Sequence, residues 1–133
     1  MTADRPLTEE KRDFFRINFN SPVEYKSYTG PEPVRASGRS QNISQSGILF
    51  QTETNPPALS SVVWMNLDIR TLRICQEIER RALIFNNGIL GRVVRVEENP
   101  KSDIYEVGVC FLTQAEKNTR EVQGILEEIS KKA

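Results

Sequence analysis

The 133-residue chain predicts a mainly β fold, an antiparallel barrel or sandwich carrying one helix at its C-terminal end. Three observations lead there. Most of the chain alternates apolar and polar residues with period two, turn-forming residues break that alternation at short intervals, and the C-terminal stretch switches to helical spacing. The length suits one domain, able to bury roughly two-thirds of the surface of its unfolded chain.

The elements follow in order. Ile17, Phe19, Val23 and Tyr25 share one parity, with Pro22 marking an edge strand or a bend. Val34 and Ala36 begin a second extended segment that runs through Gly38 towards Ile43. A turn at Gln45-Ser46-Gly47 leads into Ile48-Leu49-Phe50. Val63, Met65, Leu67 and Ile69 then alternate against Val62, Trp64, Asn66 and Asp68. Residues 70–85 are compatible with strand or helix, since Leu72, Ile74 and Ile78 fit either spacing. Asn87-Gly88 has the composition of a tight turn. Residues 91–96 and 105–111 form a late apolar strand pair joined through Asn99-Pro100-Lys101-Ser102-Asp103. Thr113 and Glu116 fit a capping box, after which Val122, Ile125, Leu126 and Ile129 line one helical face. Lys131 and Lys132 suit the negative end of that helix dipole, and a helix docked on the barrel is favoured over a partner-binding one. About six short strands with regular breaks favour antiparallel pairing over a parallel sheet.

Composition removes several function classes. The 18 basic and 18 acidic residues cancel, which does not suit blanket neutralisation of nucleic-acid phosphates. Histidine is absent, so the usual general base near neutral pH and the commonest metal ligand are missing. Neither a P-loop nor a dinucleotide fingerprint is present, and an enzyme is not expected. Cys75 and Cys110 lack metal-ligand spacing and read as two reduced core thiols. The first ten residues are polar and lack a secretory apolar region. No apolar run approaches the roughly 20 residues that span a bilayer, so a soluble cytoplasmic protein without membrane insertion is expected.

Two clusters carry the chemistry. In Lys11-Arg12-Asp13-Phe14-Phe15-Arg16, Arg12 and Arg16 offer planar guanidinium forks suited to phosphate or to a guanine O6/N7 edge. On an exposed helix such a pair is ordinarily solvated surface. In Asn42-Ile43-Ser44-Gln45-Ser46-Gly47, Asn42 supplies an amide, Ser44 a hydroxyl and Gly47 an unobstructed backbone. Asn42 and Ser44, two apart on an extended segment, point to one face. Taken alone, this cluster reads as a turn closed by a positive-φ glycine.

Together and in this order the clusters resemble the PilZ domain family, whose pattern is Arg-x-x-x-Arg followed by Asp/Asn-x-Ser-x-x-Gly. Here these are Arg12 and Arg16, then Asn42, Ser44 and Gly47, with room between for two extended segments. Gly38, Ile48-Leu49-Phe50, Gly91-x-Val93-Val94-Arg95 and Tyr105-x-Val107-Gly108-Val109-x-Phe111 continue the likeness over nearly the whole chain.

The resemblance implies a six-stranded antiparallel β-barrel that binds cyclic di-GMP, a bacterial second messenger. Residues 1–16 would be a flexible ligand-binding segment and residues 17–133 the barrel with its helix, one domain overall. Arg12 and Arg16 would engage guanines and phosphates, Lys11 would add a further ligand contact, and Asn42, Ser44 and Gly47 would form the barrel half of the site. No cofactor or metal is implied. The expected output is a signal to an unidentified protein partner in motility, attachment or polysaccharide synthesis, passed on by an order–disorder switch.

Two positions depart from the commonest pattern. Asn42 has one acceptor oxygen where the family often has a carboxylate with two, which lowers the expected affinity. Lys11 stands where binders of a stacked ligand pair often have arginine, so one or two ligands per site remain compatible with the sequence.

The alternative is an adaptor of the same fold that binds no nucleotide and acts only through protein contacts. A nucleic-acid-binding barrel using Arg92 and Arg95 is a third class, less favoured because both suit an ordinary strand pair. Trp64 is expected in the core and not as a ligand platform.

Overall fold

The computed structural model describes residues 17–28, 32–53 and 56–132. Within them the period-two runs fold as eight strands: β1 (Ile17–Asn18), β2 (Pro22–Tyr28), β3 (Val34–Ser44), β4 (Gly47–Thr52), β5 (Val62–Asn66), β6 (Ile84–Phe85), β7 (Gly88–Asn99) and β8 (Ile104–Phe111). All pairings are antiparallel, and six strands close on themselves in the order β3-β2-β5-β7-β8-β4, with β4 returning to β3. The expected six-stranded barrel is therefore the observed one. Closure leaves the ring without a free edge, the usual weak point of an antiparallel sheet.

The alternating apolar residues fill the interior. Val23, Tyr25, Ile43, Phe50, Val63, Met65, Val93 and Val107 are each no more than 1% exposed. Tyr25 and Phe50 meet at 5.0 Å between ring centroids, and the Tyr25 hydroxyl donates to Thr52 Oγ1 at 3.2 Å.

The first strand read from the sequence is in fact two. β1 pairs with Ile43 and Asn42 of β3, and β2 begins at Pro22 opposite Arg39, a first position where the missing N–H of proline is tolerated. Ser40 stitches the break. Its fully buried hydroxyl donates to the Phe19 carbonyl and accepts from the Ser21 amide at 2.9 Å.

Residues 70–85, open to either reading, resolve as α1 (Cys75–Arg81) followed by β6. Ile74 and Ile78 drop into the barrel core beside Phe19, Met65, Ile89 and Phe111, so α1 plugs one end of the barrel. The hairpin from β6 to β7 turns on Asn86 and Asn87, both at positive φ (56° and 66°) as a two-residue primed turn requires, so the turn sits one residue earlier than expected. Gly88 lies against Trp64, where a Cβ would overlap the indole.

A second core lies outside the barrel. Helix α2 (Arg120–Lys132) buries Val122, Ile125, Leu126 and Ile129 against Val62, Leu83, Leu90 and Leu112. The docked helix stands as read, but its start moves. Glu116 accepts from the Thr113 amide at 2.7 Å, as the capping motif implied, yet this caps only a 3-10 turn (Gln114–Asn118). Thr119 Oγ1, which accepts from the Val122 amide at 3.3 Å, caps α2 itself. Trp64 joins this outer layer half-buried, its indole N–H donating to the Phe85 carbonyl at 2.8 Å.

Truncating Ile78 removes the plug's fully buried side chain, so Ile78→Ala should cost about 2–5 kcal/mol in a urea unfolding titration. Arg80→Ala, on the exposed face of the same helix, should leave the midpoint unchanged.

Candidate functional site

Simple alternation along β3 would bury Asn42, because Ser40, two residues earlier, is fully buried. A bulge prevents it. Ser40 pairs with Phe50 and Asn42 with Leu49, leaving Gln41 as an extra residue that reverses the parity. Ile43 then enters the core, and Asn42 and Ser44 face outward together. A second bulge on β7 acts likewise: Val93 pairs with Val109 and Arg95 with Gly108, leaving Val94 extra and 54% exposed. Arg95 thereby joins the outer face.

The ladder places Asn42, Leu49, Gly108 and Arg95 in one row across β3, β4, β8 and β7. They line an open groove of about 300 Å³, together with Ser44, Ser46, Gly47, Val94 and Cys110. Apolar Leu49 and Val94 and the bare backbone of Gly108 are among its lining residues, with Asn42 and Arg95 at the two ends of the row. The Arg95 stem lies over Gly108, where an added Cβ would be 3.3 Å from Arg95 Cβ. Ser44 Oγ accepts from the Ser46 amide at 3.2 Å and orders the turn that carries Gly47.

Gly47 has no positive φ, so the turn-closing glycine of the sequence reading is corrected. It is needed for close approach, since a Cβ there would collide with the Val109 carbonyl oxygen of the neighbouring strand. Cys110 is also corrected. It is free but exposed, because Val107, Val109 and Phe111 take the inward positions and alternation turns Cys110 out into the groove; Cys75 is half-buried.

Arg95 is the groove residue that sequence reading set aside as ordinary strand surface. The signal that marks it is the ladder position opposite Gly108, visible only once the bulge is known. Its Nη2 lies 2.8 Å from Glu97 Oε1 and 3.6 Å from Glu106 Oε1. The Arg95 hydrogen bond, and after it the guanidinium charge, hold the Glu97 carboxyl below its ordinary 4.5. Arg92 has a structural role, its guanidinium donating to Glu121 Oε1 and to the Ser60 carbonyl, both at 2.8 Å, which ties β7 to the first turn of α2.

Lys11, Arg12 and Arg16 lie outside the described residues. Ile17, which follows Arg16, pairs with Ile43, so the chain enters the sheet between Asn42 and Ser44. Another depression, of about 520 Å³, lies at the α1 end. None of the candidate ligand-binding residues lines it, and its Asp68 and Arg70 satisfy each other through contacts of 2.8 Å that hold the Asp68 carboxyl down to about 2. Among the described residues no group of three or more His, Cys, Asp or Glu is placed to hold a metal ion. No helix among them is long and apolar enough to cross a membrane.

The comparisons bear on the family and the fold. The family model described as the PilZ domain matches residues 10–128. The solved structure of the Bacillus subtilis inhibitor of motility (MotI/DgrA) superposes with a TM-score of 0.50 at 14% identity. That alignment covers 90% of this chain and 52% of the other, so the chain spans about half the length of that protein and the likeness concerns the fold. No curated protein matches.

The Arg95–Glu97 pair can be read by titration. Because the folded carboxyl is depressed, its contribution to stability is present above pH 4.5 and is lost as the pH falls through the lower folded value. In Arg95→Ala, a carboxyl-detected NMR titration should show Glu97 return upward towards 4.5, with the barrel still folded.

Proposed function

The chain belongs to the PilZ domain family, and from that membership we propose that it is a cyclic di-GMP receptor, a binding module without chemistry of its own. One observation supports this most: the bulge at Gln41 brings Asn42, Ser44 and Gly47 onto a single outer groove, beside the point where the chain arrives from Arg16.

The groove suits a ligand of two guanines and two phosphates. Asn42 can accept from the guanine Watson–Crick edge through its side-chain carbonyl, and Ser44 can donate or accept beside it. Leu49, Val94 and the side-chain-free Gly108 offer apolar lining against which a planar base can lie. Arg95 supplies a guanidinium at the far end of the row, able to stack on a purine face or to pair with a phosphate. In the bound state Lys11, Arg12 and Arg16 come over the ligand from the other side, and the groove face they remodel becomes the surface that a protein partner reads. The neutral overall charge fits, because a small dianion needs a local cluster of cations and not a basic protein.

Isothermal titration with cyclic di-GMP tests the reading. Binding heat is expected for the wild type and its loss for Arg16→Ala. Asn42→Ala should weaken binding by about 1–3 kcal/mol, the worth of one good base-edge contact. Asn42→Asp, which adds a second acceptor, should strengthen it. A wild-type protein that gives no heat would end the proposal and leave the nucleotide-free adaptor of the same fold.

A further inference from the structure

Charges on the β7–β8 hairpin meet an unfavourable arrangement at one rung. Glu97 on β7 and Glu106 on β8 stand directly opposite each other in the ladder, a like-charge pair that destabilises a sheet unless a cation intervenes. Arg95 intervenes, at 2.8 Å from the first carboxylate and 3.6 Å from the second. The same side chain lines the groove, where its stem crosses Gly108 and completes the row that starts at Asn42. One cation therefore has two sets of anions to serve.

We propose that Glu97 and Glu106 are positioning residues of the groove, holding Arg95 at its rim in the free protein and competing with a ligand phosphate for it. The inference rests on the reading that the groove takes a cyclic dinucleotide. A phosphate that draws Arg95 inward must replace both contacts and leaves the two carboxylates facing each other without compensation. The pair thus lowers affinity by a set amount and keeps the groove selective for ligands carrying enough negative charge to win the exchange. The side chains are exposed by 49% (Arg95), 60% (Glu97) and 36% (Glu106), so the competition is screened by solvent and reversible.

The test is a set of cyclic di-GMP titrations. Glu97→Gln/Glu106→Gln should bind about fivefold tighter than wild type, the upper range of an exposed pair. Glu98→Gln/Asp103→Asn, which removes the same charge from the same hairpin, should match wild type. The gain should vanish when Arg95→Ala is present in both partners of the comparison. In the unliganded protein, the Arg95 Nε–H NMR resonance should move when Glu97 and Glu106 are replaced and stay in place with the control pair. Wild-type binding with no gain in the double variant overturns the inference and leaves the receptor reading intact. So does an equal gain in the control, or a gain that survives Arg95→Ala in full, since either would mean general repulsion. Absence of wild-type binding removes the receptor reading and the inference with it.

Discussion

Closing an antiparallel sheet into a barrel imposes a choice on every strand residue: it faces a packed interior or it faces outward, and neighbours must alternate. The rest of the molecule depends on where that alternation is broken. Two extra residues, Gln41 on β3 and Val94 on β7, reset the parity of their strands on opposite sides of the row that joins Asn42 to Arg95. Without the first reset, Asn42 would be driven towards a core formed by Phe50 and Val107, Ile43 would be turned out of it, and the amide would lose water without a partner. With both, the interior keeps its apolar lining and the outer face gains an amide at one end and a guanidinium at the other. The site is a by-product of how a closed sheet absorbs a misfit.

Much of this was legible from residue order. Period-two runs marked the strands because one face of each is buried and the other wet, and the helical spacing of Val122, Ile125, Leu126 and Ile129 matched a face that does dock. The Asn42, Ser44 and Gly47 motif marked the groove. What stayed hidden depends on pairing partners. A bulge leaves no trace in a single strand, so Arg95 looked like any exposed strand arginine. The role of Gly47 is set by the Val109 carbonyl of β8, distant in sequence, whereas the outward position of Cys110 follows from the parity of its own strand. Residues 70–85 were ambiguous because Ile74 and Ile78 suit a helix and their burial comes from plugging a barrel end that no local pattern announces.

Strand β7 links the two halves of the outer surface. Arg92 reaches sideways to Glu121 in the first turn of α2, while Arg95, beyond the bulge, reaches into the groove. The apolar outer layer lies over Val62 and Leu90 on β5 and β7, so the helix and the groove occupy different sectors of one barrel and share this strand. Arg95 lies three positions along the strand from the residue that anchors α2, on a backbone paired with β8 there and with β5 as far as Arg92.

The row from Asn42 to Arg95 also has a length. It crosses four strands, and three inter-strand spacings of about 4.8 Å put its ends roughly 14 Å apart along the sheet. A ligand that engages the amide and the guanidinium at once has to span that gap. On these terms the separation between the two ends of the row is set by the number of strands between the two bulges.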